Sequence, residues 1–356
     1  MNKEKIPQQM CAAVWRGGSE LSIEEVPVPE VRAGEVLVRV EACGICPTDI
    51  KKIDFALCQP PTIFGHETVG RVVAAGAGAG EHLGRRVALY HHVPCRRCRL
   101  CDLGLYSQCE VYKKTGTTAG FNPAGGGWAE YVRVAPWIVT GGGVVPLPEP
   151  LPAAIAILME PLNTCLKCIL TLPGESGTLV ILGQGPVGLM LTALARKKGW
   201  RVFAVEPQPA RRATALQCGA EAVFSPEEDL AGKLQQAAPP LGPDAVIAAT
   251  DNEKTINAAL RALRPGGRLI LFAHTRQAQE FCFDAGQVGV AEKQILGSYS
   301  SSIELNDEVR ALLADENFPG RYLVTHTFPL EEINLALDLA RTPRAGSLKV
   351  AVSPDN

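Results

Sequence analysis

Four cysteines spaced Cys95-x2-Cys98-x2-Cys101-x7-Cys109 form the most specific chemical signal in the sequence. Thiolates at these spacings can wrap one tetrahedral Zn2+ within a single loop and fill all of its positions. A filled coordination sphere has no room for substrate, so this metal is expected to be structural. Arg96, Arg97 and Arg99 lie among the ligands, where they offset the net negative charge of a tetrathiolate centre. Four buried or disulfide-paired cysteines are the rival reading, and an iron–sulfur cluster is a second rival.

A second constellation, Gly183-Gln184-Gly185-Pro186-Val187-Gly188, has the form G-x-G-x-x-G. That pattern is weak alone. Here it follows an apolar run, opens a helical stretch, and is followed by an acidic residue, Glu206, at the end of the next apolar run. Gly183 permits a tight turn, Gly185 lets a pyrophosphate approach the backbone, and Gly188 allows close packing of helix on sheet. Free N–H groups at the helix start, with Pro186 and Val187 in its first turn, would face the phosphates. The Glu206 carboxylate can accept both hydroxyls of the adenosine ribose and repels a 2′-phosphate, which predicts NAD rather than NADP. Arg211 and Arg212 oppose that preference, since either could reach a 2′-phosphate. A glycine-rich turn without a ligand is the alternative.

These groups need elements to hold them. Between about 177 and 298, short apolar runs at 180–182, 202–205, 245–248 and 269–272 alternate with helical stretches. That rhythm predicts βαβ units around a parallel sheet. Gly199 and Gly219 follow two of the helices, as C-terminal glycines should. Residues 11–150 instead lean towards β structure, with runs such as 35–40, 68–74 and 86–90 broken by Gly and Pro. A helix over 331–340 and a strand near 349–352 are expected at the end. No internal repeat or low-complexity linker is evident.

Composition narrows the function classes. The chain has 356 residues, 46% of them hydrophobic, with 35 basic against 37 acidic side chains. Two domains with sizeable cores are expected. No basic excess points to nucleic acid. Residues 1–10 lack the apolar core of a secretory signal, so a cytoplasmic location is expected. The uncharged stretch 176–195 is long enough to imitate a membrane span. Gly177, Gly183, Gly185, Pro186 and Gly188 divide it, and a buried strand, turn and helix are expected instead. Twelve cysteines without a secretory signal argue against a disulfide scaffold.

Further along the chain stand Gly44-Ile45-Cys46-Pro47-Thr48-Asp49, Gly65-His66-Glu67, Gly126-Gly127-Trp128-Ala129-Glu130-Tyr131, Met159-Glu160-Pro161-Leu162 and Leu263-Arg264-Pro265-Gly266-Gly267. With the cysteine lobe and the glycine fingerprint in order, the chain resembles a zinc-dependent member of the medium-chain dehydrogenase/reductase superfamily over nearly its whole length. Glu160-Pro161-Leu162 is most similar to the branch containing sorbitol, threonine and glucose dehydrogenases.

The resemblance implies an α/β fold: a Rossmann doubly wound parallel sheet at 158–297, plus a mainly-β GroES-like catalytic domain from 1–157 and 298–356. It implies Cys46 and His66 as catalytic zinc ligands, Glu160 as the third, and Glu67 as a carboxylate able to exchange onto the metal. Together with the lobe at 95–109 this makes two Zn2+ per chain. Three protein ligands and one open position are what a catalytic zinc needs, and thiolate, imidazole and carboxylate are suitable donors. Thr48 matches the first proton acceptor, Lys51 is a terminus for the proton route, and Thr164 matches a position that contacts nicotinamide. Small-molecule alcohols or carbonyl compounds are the implied substrates, and a homodimer or homotetramer the implied assembly.

The remaining cysteines, Cys11, Cys43, Cys58, Cys165, Cys168, Cys218 and Cys282, are expected as small apolar core residues. His92 stands where threonine dehydrogenases carry a histidine near substrate; a surface histidine is the alternative. Lys51 and Lys167 replace histidines common elsewhere in the family, and Asp251 replaces a glycine. These departures bear on proton route and substrate, not on the metal. The expected reaction transfers hydride between NAD(H) and a secondary alcohol or carbonyl, with a polyol, sugar alcohol or hydroxy-amino acid as substrate. The alternatives are a simple alcohol dehydrogenase or aldehyde reductase, and a non-catalytic NAD-binding protein. A zinc-free quinone or enoyl reductase shares the fold but leaves Cys46, His66 and Glu160 without purpose.

Overall fold

Val36–Gly44 (VLVRVEACG) is an apolar run buried along almost its full length, the signature of a strand covered on both faces. It is the spine of the first unit in the computed structural model, which describes residues 6–114, 126–226, 229–272, 280–344 and 346–354. Along one edge it pairs antiparallel with Glu67–Ala75, from Val36 opposite Ala75 to Gly44 opposite Glu67. Its other edge is shared, by Tyr131–Val134 at the start and Lys349–Ser353 at the end. Val324–Pro329, Arg86–Leu89 and Val144–Pro146 extend this sheet to seven strands. A separate three-stranded sheet joins Ser22–Pro27, Gln9–Trp15 and Thr62–Ile63. Trp15, Phe64 and Trp128 pack in its core, with ring centroids 5.8 and 6.0 Å apart. This unit comprises Met1–Pro161, Ser301–Asp315 and Val324–Asn356.

The second unit, Leu162–Ser300 with Glu316–Leu323, carries the alternating β and α segments. Its six strands are all parallel, in the order Ala222–Phe224, Arg201–Val205, Thr178–Leu182, Ala245–Ala248, Arg268–Leu271, Gln294–Gly297. The first strand in sequence is therefore central, and the strand order reverses beside it. That reversal is the switch point at which doubly wound sheets bind ligands. The uncharged stretch 176–195 becomes the strand Thr178–Leu182 and the helix Pro186–Lys197. No helix among the described residues is long and apolar enough to cross a membrane. Gly199 and Gly219, at φ 91° and 101°, end their helices in the left-handed conformation that glycine adopts without strain. The expected helix at 331–340 begins slightly later, as Ile333–Arg341, because Leu330–Glu332 forms a 3-10 turn before it.

Candidate active site

Sheet register brings the first chemical group together. Because Gly44 pairs with Glu67, the residues just beyond that end of the ladder, Cys46 and His66, come to face each other. The ligand atoms of Cys46, His66 and Glu67 lie within 4.8 Å of one another. Gly44 is needed for this approach, since a Cβ there would stand 1.9 Å from Glu67 Oε2. Gly65 turns the chain into His66 at φ 99°, where any side chain would also strike Trp128 and Cys43.

Cys46 is the N-cap of the helix Pro47–Asp54. Its sulfur accepts the Thr48 amide at 3.5 Å, and Asp49 Oδ2 accepts the Cys46 amide at 3.4 Å. A helix N-terminus favours negative charge at such a sulfur. The other Asp49 oxygen lies 3.0 Å from His66 Nδ1, an arrangement that orients the ring and leaves Nε2 for a metal. Burial would lower the affinity of His66 for a proton, but Asp49 and then Cys46 outweigh it and raise its pKa well above the usual imidazole value. Thr48 and Lys51 lie one turn apart on the same helix, both half-buried.

Glu67 is 1% exposed, and its Oε1 accepts from Lys349 Nζ at 2.6 Å. Lys349 also donates to the Ile45 carbonyl at 2.9 Å. Burial pushes the Glu67 carboxyl up, against the pull of Lys349. Glu160 lies outside the Cys46–His66–Glu67 group. It opens the helix Met159–Ile169, whose first carbonyl is held by the Tyr90 hydroxyl, and its Oε1 is 3.4 Å from His92 Nδ1. Ser301 Oγ lies 3.1 Å from the same nitrogen. His91 is buried and His92 half-buried, with the His92 side chain only 9% exposed, which argues against the surface reading of His92. Burial, then His92 and His66, hold His91 well below the usual imidazole range.

The four-cysteine lobe is a second group whose sulfurs all lie within 4.8 Å of one another. Cys98 Sγ is 3.6 Å from Cys101 Sγ and 4.0 Å from Cys109 Sγ. Tetrahedral zinc with Zn–S bonds of about 2.3 Å requires sulfurs roughly 3.8 Å apart, so these residues fit the metal. Backbone amides of Glu110 and Cys101 pull the Cys98 thiol down to about 6, whereas burial pushes Cys101 up to about 12. Only a bound cation would hold all four as thiolates. Cys98→Ser should therefore release about one zinc per chain and lower the thermal midpoint, with atomic emission and a melting curve as the measurements. Unchanged zinc content would refute the assignment.

In the second unit, Gly183 (φ 85°) turns the chain after the central strand, and Gly185 caps the helix that starts with Pro186 and Val187. Gly188 is required by contact, because a Cβ would lie 1.9 Å from the Gly183 carbonyl oxygen. Glu206 is 3% exposed and accepts the Gln184 amide at 2.7 Å and the Gln208 amide at 2.9 Å. Arg211 Nη1 reaches to 3.8 Å from where a Gly185 Cβ would be, so it hangs over the turn, whereas Arg212 donates to the Pro207 carbonyl. Thr164 is half-buried within Met159–Ile169, and Lys167 on the same helix donates to the Tyr299 carbonyl at 2.7 Å.

Comparisons with known proteins identify the family. Residues 32–149 match the alcohol dehydrogenase GroES-like domain and 186–315 the zinc-binding dehydrogenase domain. L-threonine 3-dehydrogenase of Pyrococcus abyssi (strain GE5 / Orsay) is 33% identical over 71% of this chain and 72% of its own length. The chain belongs to the zinc-type medium-chain dehydrogenase/reductase family. Sorbitol dehydrogenase of Bacillus subtilis (strain 168) is 28% identical over 98% of this chain and 99% of its own. A zinc-binding dehydrogenase of Sinorhizobium meliloti 1021, solved with NADP bound, superposes with a TM-score of 0.84 at 27% identity, covering 98% of this chain and 100% of that one. As a family member the chain is an oxidoreductase built from a GroES-like unit and a Rossmann-type parallel sheet.

The sequence reading gave no role to Asp49, quoted only within a motif, or to Lys349, placed only in the final strand. Asp49 had a local signal, since an acidic residue three places after an N-cap closes a capping box. Lys349 had none. Among the lone cysteines, Cys43, Cys165, Cys168 and Cys218 are buried as expected, Cys11 and Cys58 are half-buried, and Cys282 is exposed. Cys282 thus corrects the expectation of a core residue, because it lies outside the regular elements.

Proposed function

We propose that this chain is a NAD-linked dehydrogenase that interconverts a secondary alcohol and its carbonyl compound, with polyols or hydroxy-amino acids as substrates. The observation that carries the reading is the contrast between two metal-ligand groups. One is a closed set of four thiols; the other combines Cys46 and His66 with a carboxylate, three donors that would leave a fourth position on zinc for substrate. Sorbitol and threonine dehydrogenases among its relatives support a substrate with more than one polar group.

A bound zinc supplies Lewis acidity at the substrate hydroxyl, and a bound nicotinamide takes the hydride. The protein's part is placement and proton handling. Cys46 and His66 hold the metal, with Asp49 fixing both. Glu160 is the third ligand and Glu67 the alternate, since the Glu67 carboxylate lies beside Cys46 and His66. The Thr48 hydroxyl accepts the substrate proton and Lys51 is the terminus of its route. Gly183, Gly185 and the helix start of Pro186–Lys197 receive the pyrophosphate, Arg211 adds charge there, and Thr164 contacts the nicotinamide. Two zinc ions per chain and a cytoplasmic homodimer or homotetramer complete the proposal.

Glu206 supports NAD. Both of its oxygens are held by backbone amides, so the carboxylate cannot swing away from an approaching 2′-phosphate. Like charges forced together in a site cost enough that kcat/KM should favour NAD over NADP by about tenfold or more. The test is purified protein with either cofactor and a panel of alcohols, followed by NAD(P)H absorbance, with zinc measured on the same sample. Equal or reversed cofactor preference would show that Arg211 dominates. No turnover of any alcohol or carbonyl compound would overturn the reaction class.

A further inference from the structure

The glycine-rich turn of the second unit carries one polar side chain that points into the core. Gln184 is 0% exposed and lies between Gly183 and Gly185. Its Nε2 donates to the Ile181 carbonyl of the central strand at 3.3 Å, and its Oε1 accepts from the Thr192 hydroxyl at 2.9 Å. Thr192 is also 0% exposed, midway along the helix Pro186–Lys197, where the other buried residues are glycine or apolar. An amide and a hydroxyl buried together gain little over apolar groups of the same shape, because water would have bonded both. Ordering a glutamine side chain adds a further cost. Core stability therefore does not call for this pair. Direction does, since a fully bonded polar network fixes one arrangement where apolar packing tolerates several.

The backbone of the same residue faces the cofactor-selecting carboxylate. The Gln184 amide donates to Glu206 Oε2 at 2.7 Å, one of the two amides that hold Glu206. Glycines on both sides leave the chain at 184 with little steric guidance, and Gly183 stands at φ 85°. The direction of the Gln184 amide is therefore set by what its side chain is tied to. We infer that Gln184 is a positioning residue for cofactor choice. Its bonds to Ile181 and Thr192 lock the turn, and the locked turn holds Glu206 where the adenosine ribose is read. This rests on the NAD reading above and deepens it. Thr192 acts only through Gln184, from the buried middle of the helix. Without that tie the turn shifts, Glu206 loses a donor, and its carboxylate becomes free to turn away from a 2′-phosphate.

The experiment titrates NADH and NADPH into the full chain by fluorescence, alongside melting curves. Gln184→Leu fills the same space without the bonds, and Thr192→Val removes the hydroxyl at the other end. Each should weaken NADH binding by about tenfold, the worth of roughly one buried hydrogen bond. The preference for NADH over NADPH should fall as well, because a mobile Glu206 repels a 2′-phosphate less. In turnover the loss should appear in KM for NAD rather than in kcat. Thr192→Ser keeps the hydroxyl and should bind NADH as the wild type does. The double variant Gln184→Leu/Thr192→Val leaves neither polar group unpaired, so its melting midpoint should recover while its NADH affinity stays low. Recovery of both together would show that the pair only fills the core, and would overturn the inference. Wild-type affinity and preference in either single variant, or Thr192→Ser as weak as Thr192→Val, would do the same. Those outcomes leave the NAD reading intact. A wild-type chain that binds neither NADH nor NADPH sinks that reading itself.

Discussion

Cys46→Ala or His66→Ala should lower kcat/KM by about three orders of magnitude or more, because each removes a donor on which the Lewis acid depends. Zinc content should fall from about two to about one per chain. The loss should come from the exchangeable site, while the four-cysteine lobe keeps its metal. Binding of NAD should survive in both variants, because Gly183–Gly188 belongs to a separate folding unit with its own sheet. Atomic emission, stopped-flow turnover and NADH fluorescence on one preparation check all three statements. Either variant retaining two zinc ions and near-normal turnover would remove the basis of the functional reading. Glu160→Ala is the sharper probe of the third position. With Glu160 as a ligand, the variant loses metal or most of its rate. Retention of both would move the third position to Glu67, whose carboxylate is already beside Cys46 and His66, and the polyol reading would lose its support from the glutamate-ligand branch.

Lys349→Met should lower stability by about 3 kcal/mol or more, the usual cost of leaving one member of a buried ion pair alone. Lys349 is 4% exposed and Glu67 1%, so solvent does little to screen the pair. Burial works against the charge on Lys349, but Glu67 and Cys46 more than offset it and hold its ammonium above the usual lysine range. Without the lysine, Glu67 keeps an uncompensated buried charge or takes up a proton, and the Ile45 carbonyl loses its donor. The melting midpoint should drop by roughly 5–10 °C, judged from the entropy of unfolding of units this size. The double variant Glu67→Gln/Lys349→Met should recover part of the loss, because no unpaired charge remains. A midpoint unchanged in Lys349→Met would show that the pair contributes nothing to stability.

Much of this architecture was legible in the sequence because its causes are local. The four-cysteine lobe lies within one loop, so spacing alone brings its sulfurs within reach of one another. The strand, glycine turn and helix from Thr178 to Lys197 are likewise set by neighbouring residues: β-branched and apolar side chains, Gly183 at positive φ, and Pro186 at the helix start. Regular alternation of such units is enough to specify a parallel sheet. The metal group is different. Its members come from two segments distant in sequence, and only the pairing of Gly44 with Glu67 turns the motifs around Cys46 and His66 into one site. Lys349 reaches Glu67 across 282 positions because the strand Lys349–Ser353 adds to the far edge of Val36–Gly44. Ser301 meets His92 across 209 positions, and nothing in the residues around either predicts it. Periodicity and spacing report on bonds within an element, whereas which carboxylate stands beside the metal ligands, and which cation holds it there, depends on strand register between distant segments. That register belongs to the tertiary structure.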